Sequence, residues 1–270
     1  MLASGCELGE GLWVKEGKAA WVDINKGQLL VCKESTFNCY SILDKPSIVY
    51  QFEENEVSMG SDKGVTLFNT ITKQEVLLSD VSSKHNIEEY RSNDGGFCGE
   101  YQLLSFMHKT DPENNLGFVY IVSKKSFFLL DNSLHIPNSF IEIEPSKILI
   151  SDSLKGKIWL YQLDKSGNLV KKILWAQLEP GIAPDGGCLV GDLVFVALWD
   201  GASIAVFDKD GKLLNKLTVP IIRPTNCKFD AFLSQLWVTS ACEGLSEEQM
   251  SLYPYSGNTL VYDLELRSEC

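Results

Sequence analysis

Short apolar runs recur along this chain in pairs, each pair split by a turn containing Gly or Asp, and little of it has the 3.6-residue spacing of a helix. Ala19-Ala20-Trp21-Val22-Asp23-Ile24 is followed, after Asn25-Lys26-Gly27, by Gln28-Leu29-Leu30-Val31-Cys32. The same grammar returns in Ile148–Asp152 and Lys157–Tyr161 around Leu154-Lys155-Gly156, and again in Leu193–Ala197 and Ser203–Phe207 around Asp200-Gly201-Ala202. Hairpins of this kind start near residues 20, 57, 101, 147, 193 and 235. Each later hairpin runs on into a polar turn and a further strand, as at Asp164–Asn168 and Asp208–Gly211. A strand preceding each hairpin makes four per unit. Units of about 40–46 residues predict an all-β fold, a six-bladed β-propeller with four-stranded antiparallel blades.

The third unit is the least regular, with an insertion at Lys109–Leu116, and Ser246–Met250 is the one segment that reads as a short helical turn. No Pro/Ser-rich linker or shift in composition interrupts the series. Residues 1–270 therefore read as one domain, with the segment before Glu10 expected to complete the last blade as its outer strand.

Polar residues recur at nearly one phase of this repeat: Glu10, an ambiguous position near Gln51, then Asn93, Asn138, Asp185 and Asn226. A ring of carboxylates and amides supplied one per repeat is how a radially closed fold builds a metal site on its axis. Asp94, followed by Gly95, reads instead as ordinary turn chemistry. Asn226 reads equally well as a strand-end cap.

Composition narrows the chemistry. The formal charge of −12 and the absence of any Lys/Arg-rich run exclude a nucleic-acid partner, because a phosphate backbone needs a basic face. Eight cysteines form no CxxC pair and have no His at zinc-finger spacing, so they read as reduced thiols, with Cys188, Cys227 and Cys242 as small buried hydrophobes in strands. No window reaches eighteen apolar residues and the first ten residues lack a signal-peptide pattern, so no membrane contact and a cytoplasmic location are expected. Neither GxSxG nor a P-loop is present. His108 and the other two histidines, His85 and His135, show no partner pattern, and five of the six tryptophans read as core. Trp199, in a hairpin turn, is the exception.

Five segments carry a family resemblance. Gly9-Glu10-Gly11-Leu12-Trp13 with Ala20–Ile24, Arg91-Ser92-Asn93-Asp94-Gly95, Pro137-Asn138-Ser139-Phe140, Pro184–Cys188 and Tyr253–Leu260 together resemble, in order and spacing, the gluconolactonase, regucalcin (senescence marker protein) and luciferin-regenerating enzyme family. The resemblance implies a six-bladed propeller with one divalent metal ion at the mouth of the central channel and hydrolysis of sugar lactones or related esters. It implies Glu10, Asn138 and Asp185 as metal ligands grouped on one side of the channel, and Arg91 and Asn93 as substrate contacts. The chain departs from the family pattern at Gly11-Leu12 where a Pro is usual, at Ser139 where Gly is usual, and through Gly99–Phe106, which leads into the expected substrate loop at His108 and Lys109.

A first shell of two carboxylates and amide oxygens suits Ca²⁺ best and accommodates Mg²⁺, Mn²⁺ or Zn²⁺. Asp185 is then the candidate general base toward water, or a ligand alone. A sugar lactone is the expected partner; no protein partner is evident. Two alternative readings remain open at this level: a non-catalytic calcium-binding, regulatory propeller, and an esterase or phosphotriesterase acting on non-sugar substrates. Arg91 and Asn93 favour the enzyme, since a cation binder needs no groups that read hydroxyls.

Overall fold

The computed structural model describes residues 1–2, 4–33, 36–123 and 127–264. Its strands form six antiparallel sheets, five of four strands and one of three. The second strands, Lys18–Asp23, Glu56–Ser61, Tyr101–His108, Lys147–Asp152, Leu193–Trp199 and Gln235–Ser240, begin where the hairpin pattern places them. The innermost strands are Gly9–Lys15, Pro46–Glu53, Tyr90–Cys98, Pro137–Glu144, Ala183–Val190 and Pro224–Asp230, which number blades 1 to 6. Each inner strand packs against the next, and that of blade 6 packs against that of blade 1, which closes the ring.

Six apolar clusters fill the six seams between blades. One packs Ala20, Val22, Leu29 and Val31 of blade 1 against Val49, Phe52, Val57 and Met59 of blade 2. Trp21, the intervening residue, points the other way and meets Trp237 of blade 6. A strand buried on both faces has no polar face to alternate with, and so Ala19–Val22 and Val194–Leu198 read as unbroken apolar runs. Each fully buried aliphatic side chain there contributes about 1.5–3 kcal/mol, which puts the stability of the fold in its seams.

Blade 6 has three strands, Pro224–Asp230, Gln235–Ser240 and Leu260–Asp263. The N-terminal segment joins its outer edge as expected, through a single bridge among the described residues. Leu2 exchanges both backbone hydrogen bonds with Thr259, at 2.8 and 3.1 Å, and Cys6 N–H donates to Gly257 O at 2.8 Å. The predicted helical turn is a helix, Glu247–Leu252, started by a capping box in which Ser246 and Gln249 bond reciprocally. Residues 109–116 form turns held by Asp111 N–H to His108 Nδ1 at 3.0 Å and Asn115 Nδ2 to Asp111 O at 2.9 Å. No helix among the described residues is long and apolar enough to cross a membrane.

Candidate functional site

Every inner strand breaks register within one residue of the same rung. In blade 5, Pro184 pairs Leu198 and Gly187 pairs Val196, leaving Asp185 and Gly186 opposite one residue, Ala197. Breaks at the matching rung occur at Glu10–Trp13, Pro46–Ile48, Ser92–Gly95, Asn138–Ile141 and Pro224–Asn226. A β-bulge of this kind bends the strand and re-aims a side chain, here toward the axis. At this break stand Glu10 and Asn138, each the last paired residue before it, and Ser47, Asn93, Asp185 and Thr225, each the first unpaired residue within it.

This corrects two positions. Blade 2 supplies Ser47 rather than Gln51, which is exposed and hydrogen-bonded to Glu53 at 2.6 Å. In blade 6 the bulge inserts Thr225 just ahead of Asn226, whose buried side chain lies against Gly186 and whose Oδ1 has no partner. Asp94 is not a turn residue. It lies in the bulge of blade 3, buried, with Oδ1 unpartnered.

Glu10, Asn93, Asn138 and Asp185 are brought together, with 4–7% of each exposed. Three of them share a local device in which the side chain accepts a hydrogen bond from the N–H of the next residue. Gly11 N–H bonds Glu10 Oε2 at 3.1 Å, Ser139 N–H bonds Asn138 Oδ1 at 3.1 Å, and Gly186 N–H bonds Asp185 Oδ1 at 3.0 Å. Gly11 and Ser139 adopt left-handed φ angles of 60° and 65°. Gly11 has to be Gly, since a Cβ there would sit 2.4 Å from the Ile48 Cα. Ser139, where the family pattern has Gly, carries that unfavourable conformation on an L side chain, and its hydroxyl bonds the Asp185 carbonyl oxygen and lies 3.0 Å from Ser151 Oγ.

Asn138 Nδ2 donates to Asp185 Oδ1 at 2.5 Å, and the carboxyls of Glu10 and Asp185 lie close enough to interact directly. Blades 1 and 4 stand opposite each other in a ring of six, so the three residues converge from both sides of the axis, not from one. Glu10, with the extra methylene, spans the difference. Burial, then the charges of Asp185 and Asp94, push the Glu10 carboxyl well above the usual carboxylate range. Burial, then Asp94, do the same to Asp185. Asp94 itself is pushed up to about 6 by burial. Two buried carboxyls in contact cannot both ionise without a compensating cation.

The donor set fits a hard divalent cation: two carboxylates held by backbone N–H groups, and an amide that a half-turn about Cβ–Cγ would make a third oxygen donor. Beyond these two acids, no group of three His, Cys, Asp or Glu side chains among the described residues is disposed around a metal. Arg91 is half-buried, and removal of its guanidinium from solvent lowers its pKa against the pull of Asp62, Glu10, Glu243 and Asp185. Its Nη1 donates to Asn93 Oδ1 and Ser92 O, both at 2.9 Å, while Asn93 Nδ2 donates to Pro137 O at 3.0 Å.

These residues floor a cavity of about 930 Å³, toward the upper end of the roughly 300–1,000 Å³ usual for small-molecule sites. Its walls include Met107, Ile136, Leu178, Ile182 and Trp199, and its rim includes Lys155, Asp200, Arg223 and Glu243. His108 and Lys109 do not line it. His108 is turned to Asp111 N–H and the Tyr90 ring, and Lys109 Nζ bonds Ile87 O at 2.7 Å. His135 does have a partner, Asp152, at 2.9 Å. Sequence reasoning passed over Arg223, although the chain has only three arginines and the two at 91 and 223 both reach this cavity.

Among known proteins, the chain is 24% identical over 277 residues to an L-arabinolactonase of Azospirillum brasilense, an alignment covering 94% of this chain and 87% of that one. It is 24% identical to regucalcin of Gallus gallus over 164 residues, 59% of this chain and 48% of that protein's length. A crystal structure of the calcium-binding protein regucalcin of Agrobacterium tumefaciens superposes with a TM-score of 0.88 over 98% of this chain and 93% of that one, and at 22% identity this likeness is one of fold. The profile of the SMP-30/Gluconolactonase/LRE-like region matches residues 8–242, and the chain belongs to that family.

Proposed function

We propose that the protein is a lactonase that hydrolyses a sugar lactone or similar cyclic ester with one divalent cation, most simply Ca²⁺, held by Glu10, Asn138 and Asp185. The observation that supports this best is the contact of two buried carboxyls at the floor of a large cavity, beside an arginine and an amide suited to reading hydroxyls. When bound, such a cation polarises a carbonyl oxygen and stabilises the negative charge that develops on it.

The chain's own residues do the rest. Asn93, fixed by Arg91 and Pro137 O, and the guanidinium of Arg91 orient the hydroxyls of the lactone. Asp185 has Oδ1 engaged by Asn138 and Gly186, and Oδ2, beside Glu10, is the oxygen that takes a proton from the attacking water once the two carboxyls' charges are separated by the cation. Met107, Ile136 and Ile182 keep bulk water from the ring and strengthen every polar contact beneath it. The similarity to an L-arabinolactonase supports the same reaction class. The seven described cysteines are unpaired, which supports a cytoplasmic setting.

The test is proton release from a panel of aldono-lactones, with chelator and with Ca²⁺, Mg²⁺, Mn²⁺ or Zn²⁺ restored. We expect hydrolysis that chelator abolishes and one of these cations restores. If no lactone or ester is turned over in a chelator-sensitive way, the reading gives way to that of a cation-binding protein.

A further inference from the structure

The cavity has a second cationic pole, visible once the blades are superposed on their common rung. Two residues ahead of each axial position stand Leu8, Lys45, Arg91, Ile136, Ala183 and Arg223. Five of these six line the cavity. Blades 3 and 6 are opposite in a ring of six, so Arg91 and Arg223 occupy one structural position on the two sides of the mouth. Arg91 is turned down onto Asn93. Arg223 is held at the rim from three sides: Nε donates to Asp200 Oδ1 at 2.6 Å, Nη1 donates to the carbonyl of Glu243, and the guanidinium lies 4.9 Å from the centre of the Trp199 ring.

A guanidinium has five N–H groups, and these contacts use two. Three are left without a protein acceptor among the described residues, on a side chain that is 17% exposed and already fixed. The rim carboxylates each have a cation to answer: Asp200 has Arg223, Glu179 has Lys216 at 3.8 Å, and Glu243 is felt by Arg91. Lys155, on the same cavity wall, has no ion-pair partner among the described residues. A fixed planar fork with open N–H groups and a second free cation nearby match a planar anion better than a neutral hydroxyl.

We propose that the substrate carries a carboxylate on the arm away from its lactone ring, and that Arg223 is the specificity-determining residue that binds it. The ring lies over Glu10, Asn138 and Asp185, and the arm crosses the apolar wall to the rim. This rests on the lactonase reading for the ring and on Arg223 alone for the arm.

The experiment compares D-glucono-1,4-lactone with D-glucaro-1,4-lactone, which share a ring and differ in the terminal carboxylate. For the wild type, kcat/KM should favour the glucarolactone by about tenfold or more, chiefly through KM. In Arg223→Gln that ratio should fall to about one, and Arg223→Lys, which keeps the charge without the fork, should fall between. A ratio is insensitive to the fraction of enzyme folded, and if the Gln variant does not fold, the Lys variant carries the comparison. Glucarate binding by calorimetry gives a readout that needs no turnover, and it should weaken about tenfold in Arg223→Gln. A wild type with no preference for the carboxylated lactone, or a preference that survives Arg223→Gln, overturns the proposal and leaves the lactonase reading in place. Turnover of neither lactone, with glucarate binding lost on substitution, overturns the lactonase reading and retains the anion site.

Discussion

Blades 2 and 5 carry the same bulge on the same rung, yet one presents Ser47 to the axis and the other Asp185. Ser47 is buried with no partner for its hydroxyl among the described residues. Asp185 is bonded to Asn138 and to Gly186 N–H and lies beside the Glu10 carboxyl. The backbone is thus a repeated seat that turns a side chain inward wherever it occurs, and chemistry depends on what each blade places in it. Blades 1, 3, 4 and 5 place acids and amides; blades 2 and 6 lead with hydroxyls.

The sharpest break in that comparison is Asp185→Asn. It keeps the shape and the bonds to Gly186 N–H while removing the proton acceptor, so lactone turnover should fall by about 10²–10⁴-fold, measured at saturating cation. Binding of the cation should weaken far less, and unchanged turnover would remove Asp185 from the role of base. Next comes the cation itself. At about a hundred times its Kd, Ca²⁺ should stabilise the protein by about 2.7 kcal/mol, seen as a rise in Tm that chelator reverses and that Glu10→Gln largely removes.

A comparable effect should follow pH in the presence of chelator. Asp94 holds its proton to about pH 6 in the native state, against 3.8 ordinarily. The folded protein therefore binds more protons than the unfolded chain between these values. The contribution is complete below about pH 4 and is lost as pH rises through 6, about 3 kcal/mol from this group. Glu10 and Asp185 act in the same direction. Asp94→Asn should flatten this decline in urea melts at pH 4 to 7; an undiminished decline would place its origin elsewhere. The smallest effect belongs to the seat that holds no ligand. Ser47→Ala removes a hydroxyl that bonds to nothing among the described residues, so stability should change by less than about 0.5 kcal/mol and chelator-sensitive turnover should persist.

The fold was legible because both faces of each second strand are buried: runs such as Ala19–Val22 and Val194–Leu198 stand out against polar turns, and six of them at even spacing admit few architectures. Glu10, Asn93, Asn138 and Asp185 were legible because the repeat sets their phase. What the sequence concealed lies where one residue of slip matters. The bulge removes the strict alternation of a strand, so Asp94-Gly95 looked like a turn, and unequal hairpins in blade 2 shifted the phase from Ser47 to Gln51. Arg223 was hidden for another reason. Its role depends on Trp199, Asp200 and Glu243, which approach it only when blades 5 and 6 are folded side by side.

The bridge between Leu2 and Thr259 has a consequence in time as well as in space. During synthesis, the strand bearing Glu10 leaves the ribosome before the other five inner strands, whereas the strand that must flank it, Pro224–Asp230, emerges more than two hundred residues later. The carboxylate made first is therefore the one whose surroundings are completed last. A nascent chain lacking blade 6 has Asn138 and Asp185 in place but no closed ring to fix Glu10 against them. Cation affinity in ribosome-bound chains of increasing length would accordingly appear late and abruptly, as a marker of ring closure.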